Sequence, residues 1–319
     1  MRGGTTTSAM LEIQAHRISK SYGPVRAVQD ISLEVQAGEV FGLIGPDGAG
    51  KTTLFRILTS LILPDAGTAT VADLDVVRAY KQLRQIIGYM PGRFSLYQDL
   101  TVEENLGFFA NVFGVRIRDD YELIRDIYVQ LEPFKDRRAG ALSGGMKQKL
   151  ALCCALIHRP RVLFLDEPGT GVDPVSRKEF WDMLRRLRVA GITILVSTPN
   201  MDEAELCDRI GLMQQGQIMA VDTPAGIKAG FSHPLFAVRS EEMYRLIQDL
   251  RVFEGAADCH AFGEYAHLKL RTANGPSDEK LIVQYLVSKN HRNVEVKPVA
   301  ATVEDCFIDL IAHHSSPIT

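Results

Sequence analysis

Gly45 to Thr53 reads GPDGAGKTT and fits the pattern G-x-x-x-x-G-K-[ST]. Its glycines let the backbone of Gly45, Pro46, Asp47, Gly48, Ala49 and Gly50 curl so that several N–H groups point at the β- and γ-phosphates of a nucleotide. A helix starting behind the loop adds its positive dipole end. Lys51 is then placed to bridge the phosphates, and Thr52, ahead of Thr53, to ligate Mg²⁺ through its hydroxyl. Far downstream, Val162 to Pro168 reads VLFLDEP. Four apolar residues predict a buried strand, with Asp166 at its carboxyl end able to hold Mg²⁺ through water. Glu167, next along, can orient and polarise an attacking water. The chemistry these residues carry together is transfer of a phosphoryl group to water.

Such residues need a rigid frame. VFGLIG, from Val40, is a short continuous apolar run, as expected of a strand covered on both faces, and it leads into the loop. TTLFRILTSLI has helical spacing behind it, and ITILVST, from Ile192, predicts a third buried strand. Upstream, LEIQAHRISKSYG reads as an edge strand entering a turn and ISLEVQAGE as a half-buried strand. Between about residue 98 and residue 160 the pattern turns helical: TVEENLGFFANVFG, YELIRDIYVQLEPF and SGGMKQKLALCCALIH place apolar residues at three- and four-residue spacing. The expectation is an α/β core over residues 11–230 with a helical insertion, after a disordered leader over residues 1–10. Residues 231–319 have a separate rhythm, strand-helix-strand-strand-helix-strand and a last helix, which matches the ferredoxin-like α+β unit.

The bulk numbers limit the function. A chain of 319 residues with 46% hydrophobic and 24% charged residues and a formal net charge of −3 has no general attraction to nucleic acid or anionic lipid. None of its apolar runs is long enough to span a bilayer. The five cysteines form no C-x-x-C pair and read as buried, reduced thiols of a cytosolic protein. His313-His314 near the end could hold a metal, but two adjacent histidines in a tail read more simply as a solvated pair.

LSGGMKQKL, from Leu142 to Leu150, lies between the phosphate loop and VLFLDEP. With it the chain resembles the ATP-binding subunits of ABC transporters over residues 11–230. The resemblance implies a RecA-like P-loop ATPase core with an antiparallel β subdomain and a helical signature subdomain, and ATP with Mg²⁺ as cofactors. It implies that Ser143, Gly144, Gly145 and Gln148 complete the nucleotide site of a second ABC ATPase subunit, in a homodimer or a heterodimer. Tyr22, in SKSYG, matches the aromatic that stacks on adenine, and Val28 an apolar residue packed beside the nucleotide. Asp173, in GVDP, matches the aspartate that links the two sites across the dimer. GPDGAGKTT, GYMP-RFSLYQDLTVEENL, DEPGTGVDPVSR and the tail VEDCFIDLI resemble drug-resistance exporters of the daunorubicin and multidrug ABC-2 type. Such subunits work with separate membrane-spanning permease subunits, so a location peripheral to the cytoplasmic face of the membrane is implied.

Two positions depart from the family pattern. GYMPGRF has Gly92 where a glutamine reaches toward Mg²⁺ and water, and STPNMDEAE has Pro199 where a histidine contacts the γ-phosphate. Gln98 lies in another segment and is not taken as a substitute. The expectation is an ATPase whose own site is weakened while its signature is intact. Two other classes remain: a regulatory nucleotide-binding subunit that hardly turns over, and a soluble ABC-type protein acting on ribosomes or DNA. The charge balance gives the latter no support.

Overall fold

The computed structural model describes residues 10–93, 95–272, 275 and 277–314. Apart from Met10, the expected leader lies outside them. The chain divides into two compact units, Met1–Pro224 and Ala225–Thr319.

In the first unit the order is β1 (Leu11–Tyr22), β2 (Val25–Gln36), β3 (Val40–Ile44), α1 (Lys51–Leu58), β4 (Ala66–Val71), β5 (Leu74–Asp75), α2 (Tyr80–Ile86) and β6 (Ile87–Met90). Then follow α3 (Val102–Phe113), α4 (Ile117–Tyr128), α5 (Gly144–Leu156), β7 (Val162–Asp166), α6 (Pro174–Val189), β8 (Thr193–Thr198), β9 (Arg209–Gln214) and β10 (Gln217–Asp222). Two sheets result. One runs β2-β1-β4-β5 and is antiparallel. The strand from Leu11 is therefore interior to its sheet, not an edge, because the small residues of AGTATV pair along its second side.

The other sheet runs β10-β9-β3-β8-β7-β6 and is parallel except for the β9–β10 hairpin. Every residue of β3, β7 and β8 is buried. This is why their sequences are continuous apolar runs without alternation. Each fully buried Val, Leu, Ile or Phe contributes about 1.5–3 kcal/mol, enough to fix the strand ends that carry the polar groups. Phe164 on β7 also meets Phe55 on α1 edge to face, with ring centroids 5.9 Å apart. That contact ties the helix behind the phosphate loop to the strand bearing Asp166.

The second unit contains α7 (Pro224–Ala229), most of which follows the division, then β11 (Leu235–Arg239), α8 (Met243–Arg251), β12 (Ala256–Phe262) and β13 (Tyr265–Leu270). It ends with α9 (Ser277–Ser288), β14 (Glu295–Pro298) and α10 (Val303–His314). Its sheet is antiparallel in the order β12-β13-β11-β14. Strands β11 and β12, joined through α8, are separated by β13, which is the split βαβ arrangement. The unit has its own core, including Val238, Leu246, Leu250, Leu268, Ile282 and Leu286. Among the described residues, no helix is long and apolar enough to cross a membrane.

Candidate nucleotide site

The loop Gly45–Gly50 leaves the carboxyl end of β3, between β8 and β9, the edge of a parallel sheet where α/β proteins gather ligands. Its glycines are required sterically. A Cβ at Gly45 would lie 2.1 Å from the Met213 carbonyl oxygen, and one at Gly50 equally close to that of Ala27. Gly50 also has φ of 105°, outside the range side chains tolerate. The Gly45 N–H donates to the Thr198 carbonyl at 3.2 Å, joining the start of the loop to the end of β8.

Lys51 is 3% exposed. Its ammonium donates to the carbonyls of Gly45 (2.8 Å) and Pro46 (3.0 Å) and lies 3.2 Å from Glu167 Oε1. Thr52 Oγ1 donates to Asp166 Oδ1 at 3.1 Å. Ser197, the register partner of Asp166 across β7 and β8, donates to the same oxygen at 2.7 Å. The Glu167 N–H donates to the Ser197 carbonyl (3.0 Å) and hydroxyl (3.1 Å). These bonds hold Glu167 at φ of 52°, a left-handed conformation uncommon for a non-glycine residue. Ser197 thus fixes both acids, a role assigned to it by no motif. The signal for it was its place at the end of a buried strand beside VLFLDEP.

An open cavity of about 610 Å³ extends from the loop along Tyr22 and is lined by Val25, Arg26, Gly50, Lys51, Thr52 and Thr53, with Glu167 and Gln215 also reaching it. Tyr22, 46% exposed, leaves a broad face toward it. Val28 does not line it. That residue is 1% exposed in the core, and Val25, 61% exposed, takes the apolar position beside the loop. The pairing of β2 with β1 is irregular between Arg26 and Val28, and it leaves Val25, Arg26 and Ala27 along the cavity while Val28 packs in the core. Gln215 enters from the β9–β10 turn, where Gln29 holds it by donating Nε2–H to the Gln215 carbonyl at 2.7 Å.

Asp166 and Thr52 present adjacent hard oxygens of the kind Mg²⁺ takes, one of them a carboxylate, so the residues present fit that ion. Gly92 is exposed, and a Cβ there would stand 2.9 Å from the Asp166 carbonyl oxygen. Pro199 is half-buried and directly follows Thr198, the residue bonded to Gly45. Neither position offers a side-chain donor.

On the signature helix, Ser143 caps α5 by accepting the Met146 N–H at 3.3 Å, and Ser143 and Gly144 are exposed. Gly145 is buried against Ser176, whose Oγ a Cβ would meet at 2.6 Å. Gln148, expected to face a partner's nucleotide, is instead 4% exposed and donates its amide to the Pro168 carbonyl. It ties α5 to the segment after β7. Asp173 caps α6, accepting the N–H groups of Val175 (3.1 Å) and Ser176 (3.0 Å). The Ser176 bonds, foremost its backbone N–H, hold the Asp173 carboxyl below its ordinary value. Nearby, buried Glu203 pairs with Arg177 at 3.6 Å and fills the space beside Gly169.

A second cavity in the same unit, about 440 Å³ and mainly apolar, is lined by Leu61, Tyr89, Met90, Phe109, Val112 and Phe113 among others. It borders the Pro91–Gly92 segment.

The sequence model of a family described as "ABC transporter" matches residues 28–170. The "Probable multidrug ABC transporter ATP-binding protein YbhF" of Escherichia coli K12 is 43% identical over 219 residues, 68% of this chain and 38% of that protein. The chain thus spans well under half the length of that relative. The "Nod factor export ATP-binding protein I" of Burkholderia lata is 41% identical over 66% of this chain and 71% of its own length. Among solved structures, an ATP-binding subunit of an ABC transporter is 26% identical with a TM-score of 0.63, covering 68% of this chain and 92% of that one. A nucleotide-free ATP-binding cassette from an ABC transporter is 25% identical with a TM-score of 0.60, covering 67% and 92%.

Proposed function

The chain belongs to the ABC transporter ATP-binding family, and on that premise we propose that it binds ATP along Gly45–Thr53 and hydrolyses it slowly to power a membrane exporter. One observation carries this reading: Lys51, Thr52, Asp166 and Glu167 converge on a single phosphate loop, while Gly92 and Pro199 contribute no donor beside it. Tyr22 is the platform for adenine, with Val25 beside it. Mg²⁺, when bound, neutralises phosphate charge and orients the γ-phosphoryl group; Thr52 and Asp166 would hold it. Lys51 exchanges the Gly45 and Pro46 carbonyls and Glu167 for phosphate oxygens. That exchange frees the Glu167 carboxylate to accept a hydrogen bond from the attacking water. Binding relies on the loop backbone and Lys51, so it is retained; the rate loses the two side chains that would stabilise charge developing on the γ-phosphoryl.

The partners follow from the same reading. Ser143 and Gly144, exposed at the start of α5, complete the nucleotide site of a second ATPase subunit, and Asp173 links the two sites. Permease subunits dock at the apolar cavity beside Gly92, whose lining includes Leu61 and Val112, respectively 51% and 58% exposed. The relatives named for multidrug and Nod factor export support export of amphipathic molecules, from a position on the cytoplasmic face of the membrane. The test is ATPase activity of the chain alone and reconstituted with permeases from its gene cluster. Stimulation by the permeases and recovery in the membrane fraction are expected; recovery with ribosomes instead would overturn the reading. The absence of a donor at Gly92 and Pro199 favours a second reading, a regulatory subunit whose own site stays silent. In that case Glu167→Gln leaves the turnover of the assembled transporter unchanged.

A further inference from the structure

We propose that His260, His267 and Asp305 form a binding site for a divalent transition ion of the zinc class within the second unit. His260 on β12 and His267 on β13 are register partners across the hairpin, and Asp305 lies in the first turns of α10. All three direct ligand atoms at one point: His260 Nε2 is 3.2 Å and His267 Nδ1 2.7 Å from Asp305 Oδ1. Ligand atoms of a tetrahedral zinc site, each ~2.0–2.1 Å from the ion, stand ~3.3 Å apart. The His260 spacing already matches, and the His267 spacing needs to open by about half an ångström.

Neighbouring groups hold two of the three ligands in place, which is the outer arrangement metal sites need. Thr302 donates its N–H (2.8 Å) and hydroxyl (2.7 Å) to the other Asp305 oxygen, leaving Oδ1 directed at the imidazoles. The His267 ring is stacked on Phe262, with centroids 4.1 Å apart. The far nitrogen of His260, Nδ1, is buried and has no hydrogen-bond partner among the described residues; a carboxylate oxygen of Asp258 is 3.9 Å away. Asp305 is 2% and His267 5% exposed, whereas the His260 side chain is 18% exposed. The ion therefore enters past His260 and keeps a remaining position for water.

Two imidazoles and one carboxylate select zinc-like ions over Mg²⁺ and Ca²⁺, which take oxygen. The grouping of His233 with Asp309 and His313 of α10 differs in kind, because Lys269 already pairs with Asp309. An ion at Asp305 joins α10 to the β12–β13 hairpin.

The test is titration of the full chain, chelator-treated and without nucleotide, with Co²⁺ and then Zn²⁺. One ion per chain is expected, with a tetrahedral cobalt absorption band that Zn²⁺ abolishes. His260→Gln and His267→Gln should each weaken binding at least tenfold, while His313→Ala leaves it unchanged. X-ray absorption of the zinc-loaded wild-type chain keeps the proposal falsifiable if the variants misfold, and should show imidazole nitrogen with oxygen at about 2.0–2.1 Å. No saturable binding, a shell of oxygen or sulfur alone, or loss of binding in His313→Ala only would overturn the proposal.

Discussion

Pro199 sits one residue past the hydrogen bond that joins β8 to the phosphate loop, and in the proposed reading it takes the place of a donor to the γ-phosphate. One lost donor of that kind costs about 10²–10³ in rate. Pro199→His is therefore expected to raise kcat on the order of ten- to a hundredfold, with little change in nucleotide affinity. Steady-state ATPase assays check this, and an unchanged kcat would show that the proline is not limiting. Gly92→Gln behaves differently: its Cβ would press on the Asp166 carbonyl at 2.9 Å and displace the acids it should assist. Alone it is expected to give no gain. Tyr22→Ala should raise the Kd for ATP ~5- to 150-fold through lost stacking, measurable by fluorescent-nucleotide titration. Lys51, Thr52, Asp166 and Glu167 were legible because their motif is local in sequence. Ser197, Val25 and the inward turn of Gln148 were not, because strand register and packing across the fold decide them.

Elements are legible to the extent that their signals are local. Thr101 and Glu104 form a complete capping box at the start of α3, each side chain bonding the other's backbone N–H. Thr101→Ala is expected to cost ~0.5–2 kcal/mol in urea unfolding of the full chain. A cost near zero would mean that packing of Val102 and Leu106, both buried, holds the helix start without the cap. The buried strands β3, β7 and β8 announced themselves as apolar runs. Strand β6 did not: IGYM is short and contains Gly88, whose Cβ would lie 2.4 Å from the Ala155 carbonyl oxygen. Only close approach to α5 explains that glycine. In the second unit the element order was readable from residues 235 to 314, whereas the sheet order β12-β13-β11-β14 is a property of non-local pairing.

The whole chain contains two cores, and its thiols report on both. All five cysteines are buried and unbridged. Burial pushes Cys259 up to about 12 and Cys306 to about 11, and raises Cys153, Cys154 and Cys207 further. At neutral pH the reactive thiolate is scarce, so a thiol reagent should label none of them quickly in the native protein and all five in denaturant. Rapid native labelling would place a cysteine outside these cores. In the proposed reading, ATP binding and efficient hydrolysis are separate abilities of the chain. The most direct test follows bound ATP and released phosphate together in the purified protein with Mg²⁺, in wild type, Lys51→Ala and Glu167→Gln. Lys51-dependent binding is expected, with slow phosphate release that falls a further ~10²–10⁴-fold in Glu167→Gln and bound ATP retained in that variant. Brisk release from the wild-type chain alone, or binding indifferent to Lys51, would contradict that reading.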